Sequence, residues 1–91
     1  MKHCPLVMIE WKDSTQPSPA WQFLDDYAVS GAVNCISVGW LIHDSEMVKC
    51  LAPNFGNTQD EENLQINGVI TIPSCCITKI THLKEQKAIS F

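Results

Sequence analysis

Chemistry in this chain would have to come from five cysteines, three histidines, ten carboxylates and a cluster of aromatics in its first third. The nitrogen and sulfur ligands that suit zinc gather near the two ends, at His3, Cys4, Cys75, Cys76 and His82. They lack the Cys-x-x-Cys spacing that presents two thiolates to one ion. Cys75 and Cys76 are adjacent, and adjacent side chains on a strand diverge. Free, packed or idle thiols are the simpler reading, with no metal. A Cys–His nucleophile needs a thiolate beside a base in an electropositive pocket. The composition permits many such pairs and specifies none, and Cys35 and Cys50 fall in alternating runs where packing explains them. Acid–base catalysis asks for carboxylates in different environments, whereas Asp25-Asp26 and Asp60-Glu61-Glu62 are sequence neighbours and read as solvated surface. The 60–62 run also lacks the alternating ligands of a calcium loop. No catalytic residue and no cofactor is expected, and the chain reads as a non-enzyme.

Binding is the better-supported chemistry. Trp11, Trp21, Phe23 and Tyr27 fall close to Lys12, Asp13 and Ser14. An aromatic face stacks a base, a carboxylate or hydroxyl reads ribose or a base edge, and a lysine offsets phosphate. Trp11, Lys12, Asp13, Ser14 and Trp21 are therefore the candidate ligand-binding residues, and a small nucleotide-like molecule is the ligand class. The competing account makes Trp11 and Trp21 core residues of a small domain with little else large to bury, and Asp13-Ser14 an ordinary turn.

Composition narrows the partners. The chain of 91 residues is one domain's worth, 1–91, with 45% hydrophobic and only 18% charged residues. Many apolar groups on a small body leave apolar area exposed, and self-association into a homo-oligomer is the expected way to cover it. The net charge is -4 and all six cations are lysines. An acidic chain without arginine is poorly suited to long nucleic acid, whose binding rests on neutralising many phosphates. A single small anion held by backbone N–H groups and one lysine fits better. The odd cysteine count shows no disulfide framework, no secretory leader is expected before Pro5 and Glu10, and no run approaches a membrane span. A reducing, cytoplasmic setting follows.

Positioning these groups falls to a series of short strands. In "LVMIEW", Val7, Ile9 and Trp11 share one face and Leu6, Met8 and Glu10 the other. "KDSTQPSP" breaks the run, and Ser18-Pro19 is placed to cap a short helix through "AWQFLDDYA", with Trp21, Leu24 and Ala28 on one side. "CISVGWLIHDSEMVKCLAP" alternates, turns on "HDSE" and alternates again, which predicts a β-hairpin. Within it Gly39 marks a bend, the reading preferred over a bulge or the close approach of another backbone. "PNFGNTQDEEN" reads as loop, and Val69 to Ile72 as the next strand, with Asn67-Gly68 a bulge or strand entry. Ser74–Cys76 predicts a 3₁₀ turn. Residues 77–83 space Ile77, Ile80 and Leu83 as a helix face would, but their β-branched density favours a strand. The tail "KEQKAISF" is expected to dock on a neighbouring subunit or fray. The whole is an all-β chain: a small five-stranded barrel with one short helical insertion.

The order of elements resembles the Sm-like barrels, whose last two strands are joined by a single 3₁₀ turn. The ordered set "EWKDS" (Glu10 to Ser14), Trp21, "CISVGWLI" and "IPSCCITKITHL" also resembles small bacteriophage-encoded proteins. That resemblance implies a phage accessory protein in the cytoplasm of an infected bacterium, one that sequesters a nucleotide-like immune signal of the host. A protein-interaction module, docking on a host protein through strand edges or the acidic 60–62 loop, is the alternative. An oligonucleotide-binding Sm-like barrel is a third reading, which the charge balance counts against.

Overall fold

In "LVMIEWKD" each second residue is apolar and faces the same way, and Leu6–Asp13 is accordingly a strand, β1. It occupies an interior position, next to one edge, in a five-stranded antiparallel sheet of the computed structural model, which describes residues 4–84. The other strands of that sheet are β2 (Val33–Asp44), β3 (Val48–Ala52), β6 (Ile70–Pro73) and β7 (Ile77–His82). Between β3 and β6 stand β4 (Asn54–Gly56) and β5 (Gln65–Asn67), paired as a small separate hairpin. The sheet order is β6-β3-β2-β1-β7. No described helix is long and apolar enough to cross a membrane.

The expected hairpin is β2–β3. Its tip is polar: Ser45 Oγ and the Ser45 N–H both bond within the turn to Val48, and Lys49 pairs with Asp44. A bulge interrupts the β2–β3 register between Leu41 and His43. Gly39 is not at that bulge, and the β1–β2 register runs through it unbroken. A Cβ at Gly39 would lie 3.0 Å from the Ala52 carbonyl oxygen, so the close approach of β3's backbone is what requires glycine there. Gly68, at φ +75°, turns the chain from β5 into β6, a conformation that side chains disfavour. The stretch 53–63, expected as loop, thus holds a strand, β4, which pairs with β5 in a second hairpin, and Asn67-Gly68 enters the main strand as a turn.

The two edges of the sheet, β6 and β7, are consecutive in sequence. Only the 3₁₀ turn Ser74–Cys76 joins them, followed by a strand rather than a helix over 77–82. In a flat sheet, edges four spacings apart stand about 19 Å from each other. A three-residue 3₁₀ turn covers only about 6 Å. The sheet must therefore curl strongly. Its inner face buries Val7 and Ile9 of β1, Leu51 of β3 and Ile72 of β6, with Trp11, Leu41, Ile70, Ile77 and Ile80 packed against them. Residues from both edge strands share this one cluster. Among the described residues no ladder joins β6 to β7, so the sheet is not closed by hydrogen bonds.

The helical insertion is a correction. Segment 14–32, between β1 and β2, holds a single 3₁₀ turn, Leu24–Asp26, and is otherwise irregular. Ser18 caps nothing there. A helix of that length persists only when one face packs on something, and every residue of 14–32 is exposed. The Cα radius of gyration is 18.2 Å. A compact chain of this length would give about 12 Å. The segment is an arm projecting from the sheet. His3 and the tail from residue 85 onward lie outside the described residues.

Candidate ligand-binding arm

The five candidate residues divide between a wall and the arm. Trp11 belongs to the wall. Its side chain is half-buried on the inner face, opposite Cys35 on β2 and Ile77 on β7, and its Nε1–H donates to Ser37 Oγ at 3.0 Å. Both its apolar body and its one polar atom are thus engaged by the sheet. Lys12 alternates to the outer face and is exposed. Asp13, the last residue of β1, is exposed and its Oδ1 accepts the Ser14 backbone N–H at 2.7 Å, the ordinary turn chemistry of an Asp-Ser pair. Ser14 is exposed at the root of the arm. Trp21 is 103% exposed, so it touches none of the other four. The structure brings residues 11–14 together by adjacency and leaves Trp21 apart.

The arm has its own geometry. Its ends are neighbours, because Asp13 pairs with Val33 across β1 and β2. Just beyond, Thr15 Oγ1 donates to the Gly31 carbonyl at 2.6 Å and ties the two limbs together. At the far end, the Asp26 and Tyr27 N–H groups bond to the Phe23 and Leu24 carbonyls in the 3₁₀ turn. Between the limbs is an open cleft of about 530 Å³ lined by Thr15, Gln16, Ser18, Gln22, Tyr27 and Ser30. Hydroxyls, amides and one phenol ring make it a polar, hydrogen-bonding surface without a charged group. A second, more apolar hollow of about 310 Å³ is formed by Trp21, Gln22 and Phe23. Sequence reasoning passed over the polar lining because "TQPSP" was fully accounted for as a strand break. The signal was the run of hydroxyl and amide side chains on both sides of the aromatics.

The other candidate groups are held by local structure. Asp60 caps the 3₁₀ turn Glu61–Asn63, accepting from the Glu62 N–H at 3.2 Å and from Asn63 Nδ2 at 2.7 Å, so the acidic run is a turn that stabilises itself. Among the described residues no three His, Cys, Asp or Glu side chains converge on a metal-sized site. The five cysteines carry no disulfide, and Cys75 is the exposed one of the adjacent pair. Partial burial, the neighbouring Cys75 thiol and the Asp13 carboxylate together push the Cys76 thiol above its ordinary value. A thiol shifted that way stays protonated at neutral pH and is a weak nucleophile.

Comparison with known proteins leaves the geometry to stand alone: no family model, no curated protein and no solved structure matches this chain.

Proposed function

We propose that this is a small phage-type accessory protein that acts by binding, without catalysis, and that its arm takes a small nucleotide-like ligand. Sequestering such a ligand in the cytoplasm of an infected bacterium would remove an immune signal of the host. The observation that carries the reading is the cleft between the limbs of the arm, about 530 Å³ in volume. Small-molecule sites run from roughly 300 to 1,000 Å³. Hydroxyls and amides at Thr15, Gln16, Ser18, Gln22 and Ser30 suit base edges and ribose hydroxyls, and the ring of Tyr27 offers a face for stacking, with Trp21 in the neighbouring hollow. Lys12, beside the root of the arm, is the nearest cation in sequence for a phosphate. Asp13 and Ser14 fix the chain's departure from β1.

The frame behind the arm is read as a small barrel of Sm-like topology. Strand order and the 3₁₀ link between the edge strands support that reading. The acidic balance and the missing arginine leave long nucleic acid without its counter-charge. A protein-interaction module is the second reading, favoured by the apolar side chains that the arm and the outer sheet face leave uncovered.

Thermal melts against a panel of cyclic and linear nucleotides test the first reading. A ligand at a hundredfold over its Kd stabilises the folded state by about 2.7 kcal/mol. For a domain of this size that is a rise of roughly 10 °C or more. Tyr27→Ala is expected to remove the shift without changing the ligand-free melt. No shift with any nucleotide, together with stable capture of a host protein, would transfer the function to the second reading.

A further inference from the structure

Two apolar surfaces stand uncovered among the described residues. On the arm, Trp21, Phe23, Leu24 and Val29 are each at least 80% exposed. On the outer face of the sheet, Leu6 and Met8 of β1 alternate outward beside Ile36 and Val38 of β2, and the latter two are 64 and 51% exposed. The hairpin β4–β5 covers this face at one place, where Phe55 meets Trp40 edge-to-face at 5.3 Å. We propose that the two surfaces cover each other between copies: the arm of one protomer lies across the outer face of β1 and β2 of a second, and the exchange is reciprocal.

Direction, charge and area support a second copy as the occupant. The arm stands away from its own sheet, exposed at every position, so its apolar groups lie where another molecule meets them. The arm's charged residues are Asp25 and Asp26, next to Phe23 and Leu24. The outer face carries Lys12 and Lys79, with Glu10 lying between Ile36 and Lys79 in the register, so cations flank the apolar strip that the acidic arm would cross. Each aromatic side chain covers about 150–250 Å² on burial. The arm's aromatics and aliphatics together then bury roughly 600 Å², and two arms with their two receiving faces exceed about 2,000 Å². Stable specific interfaces bury about 1,200–2,000 Å². Every copy carries one arm and one face, so two contacts related by a two-fold axis close the assembly without leaving an open end. This goes beyond the ligand reading and stands without it.

Sedimentation velocity of the full chain in nucleotide-free buffer tests it, so that failure here leaves the nucleotide melts untouched. The wild type is expected to sediment as a dimer. The double variant Trp21→Ala, Phe23→Ala changes only exposed residues. It should keep its far-UV circular dichroism and raise the dimer dissociation constant by more than about a hundredfold. Ile36→Glu with Val38→Glu on the receiving face should do the same. Mixed together, the arm variant and the face variant each retain what the other lacks, and a weaker dimer with one of the two contacts should reappear. A wild type that is monomeric at every concentration overturns the proposal, as it would if the arm folds onto its own sheet. An arm variant that stays dimeric also overturns it. So does a face variant that stays dimeric, because the arms would then be packing on each other.

Discussion

Ile9, Leu51 and Ile72 on the inner face of the sheet are completely buried, while Trp21, the largest apolar residue of the arm, is 103% exposed. Both regions carry large apolar side chains, and what separates them is backbone pairing. In the sheet, hydrogen-bonded registers hold β1 between β2 and β7, and alternation sends every second side chain to a shared interior. In the arm, the chain is tied at its root by Thr15 and Gly31 and folds only as far as one 3₁₀ turn. Loops longer than roughly 12–15 residues without their own structure are uncommon in small domains, and are either functional segments or linkers. The comparison therefore divides the molecule into a part whose residues make the fold and a part whose residues stay exposed, which is where the proposals above place binding.

The largest expected effect sharpens that division directly. Leu51→Ala, inside the buried cluster, should cost about 2–5 kcal/mol in urea unfolding. Trp21→Ala, measured where the protein is monomeric, should stay within about 0.5 kcal/mol. Comparable losses at both positions would erase the distinction. A smaller effect is expected at Gly39→Ala. The added methyl meets backbone, at 3.0 Å from the Ala52 oxygen, and cannot be relieved by a side-chain rotation. Destabilisation of about 1–3 kcal/mol is expected, with β2 and β3 forced apart and the arm unaffected.

The smallest effect is one of pH. Folding raises the Cys76 thiol above its ordinary value of 9.0, through partial burial first, then Cys75 and Asp13. The folded state therefore holds that proton more tightly than the unfolded state does. The resulting stability is fully present below the ordinary thiol value and is lost as pH rises through the raised one. Unfolding midpoints followed up the alkaline range should fall in the wild type and fall less in Cys76→Ser. Alkylation at neutral pH should mark the exposed Cys75 ahead of Cys76.

Much of the sheet was legible because its signals are local and periodic. The faces of β1, the β2–β3 hairpin and the 3₁₀ turn Ser74–Cys76 all follow from alternation or turn chemistry within a few residues. The β-branched density of 77–82 outweighed a helical spacing of three, and that stretch is a strand. What escaped depended on neighbours distant in sequence. β4 is only Asn-Phe-Gly, too short for a period, and exists because Phe55 finds Trp40 and β5. Gly39 looked like a bend because the approach of Ala52 cannot be seen from β2 alone. Ser18-Pro19 is sound capping chemistry, but a cap does not supply the packing surface that a short helix needs. At the candidate site, Trp11 and Trp21 have equal claims as sequence; only the Ser37 hydroxyl and the open arm tell them apart.

β1 pairs with β2 on one side and with β7 on the other, and Thr78 donates back to the Glu10 carbonyl across 68 residues. The first of the described strands is thus completed by the last of them. A nascent chain can form the local β2–β3 hairpin early, but the buried cluster waits for Ile72, Ile77 and Ile80. Closing so long a loop costs entropy before any contact repays it, which places folding in the millisecond-to-second range rather than the microsecond one. During that wait β1 presents an unpaired edge and an apolar arm, and fast dilution or a holding chaperone should matter more to this chain's yield than its size suggests.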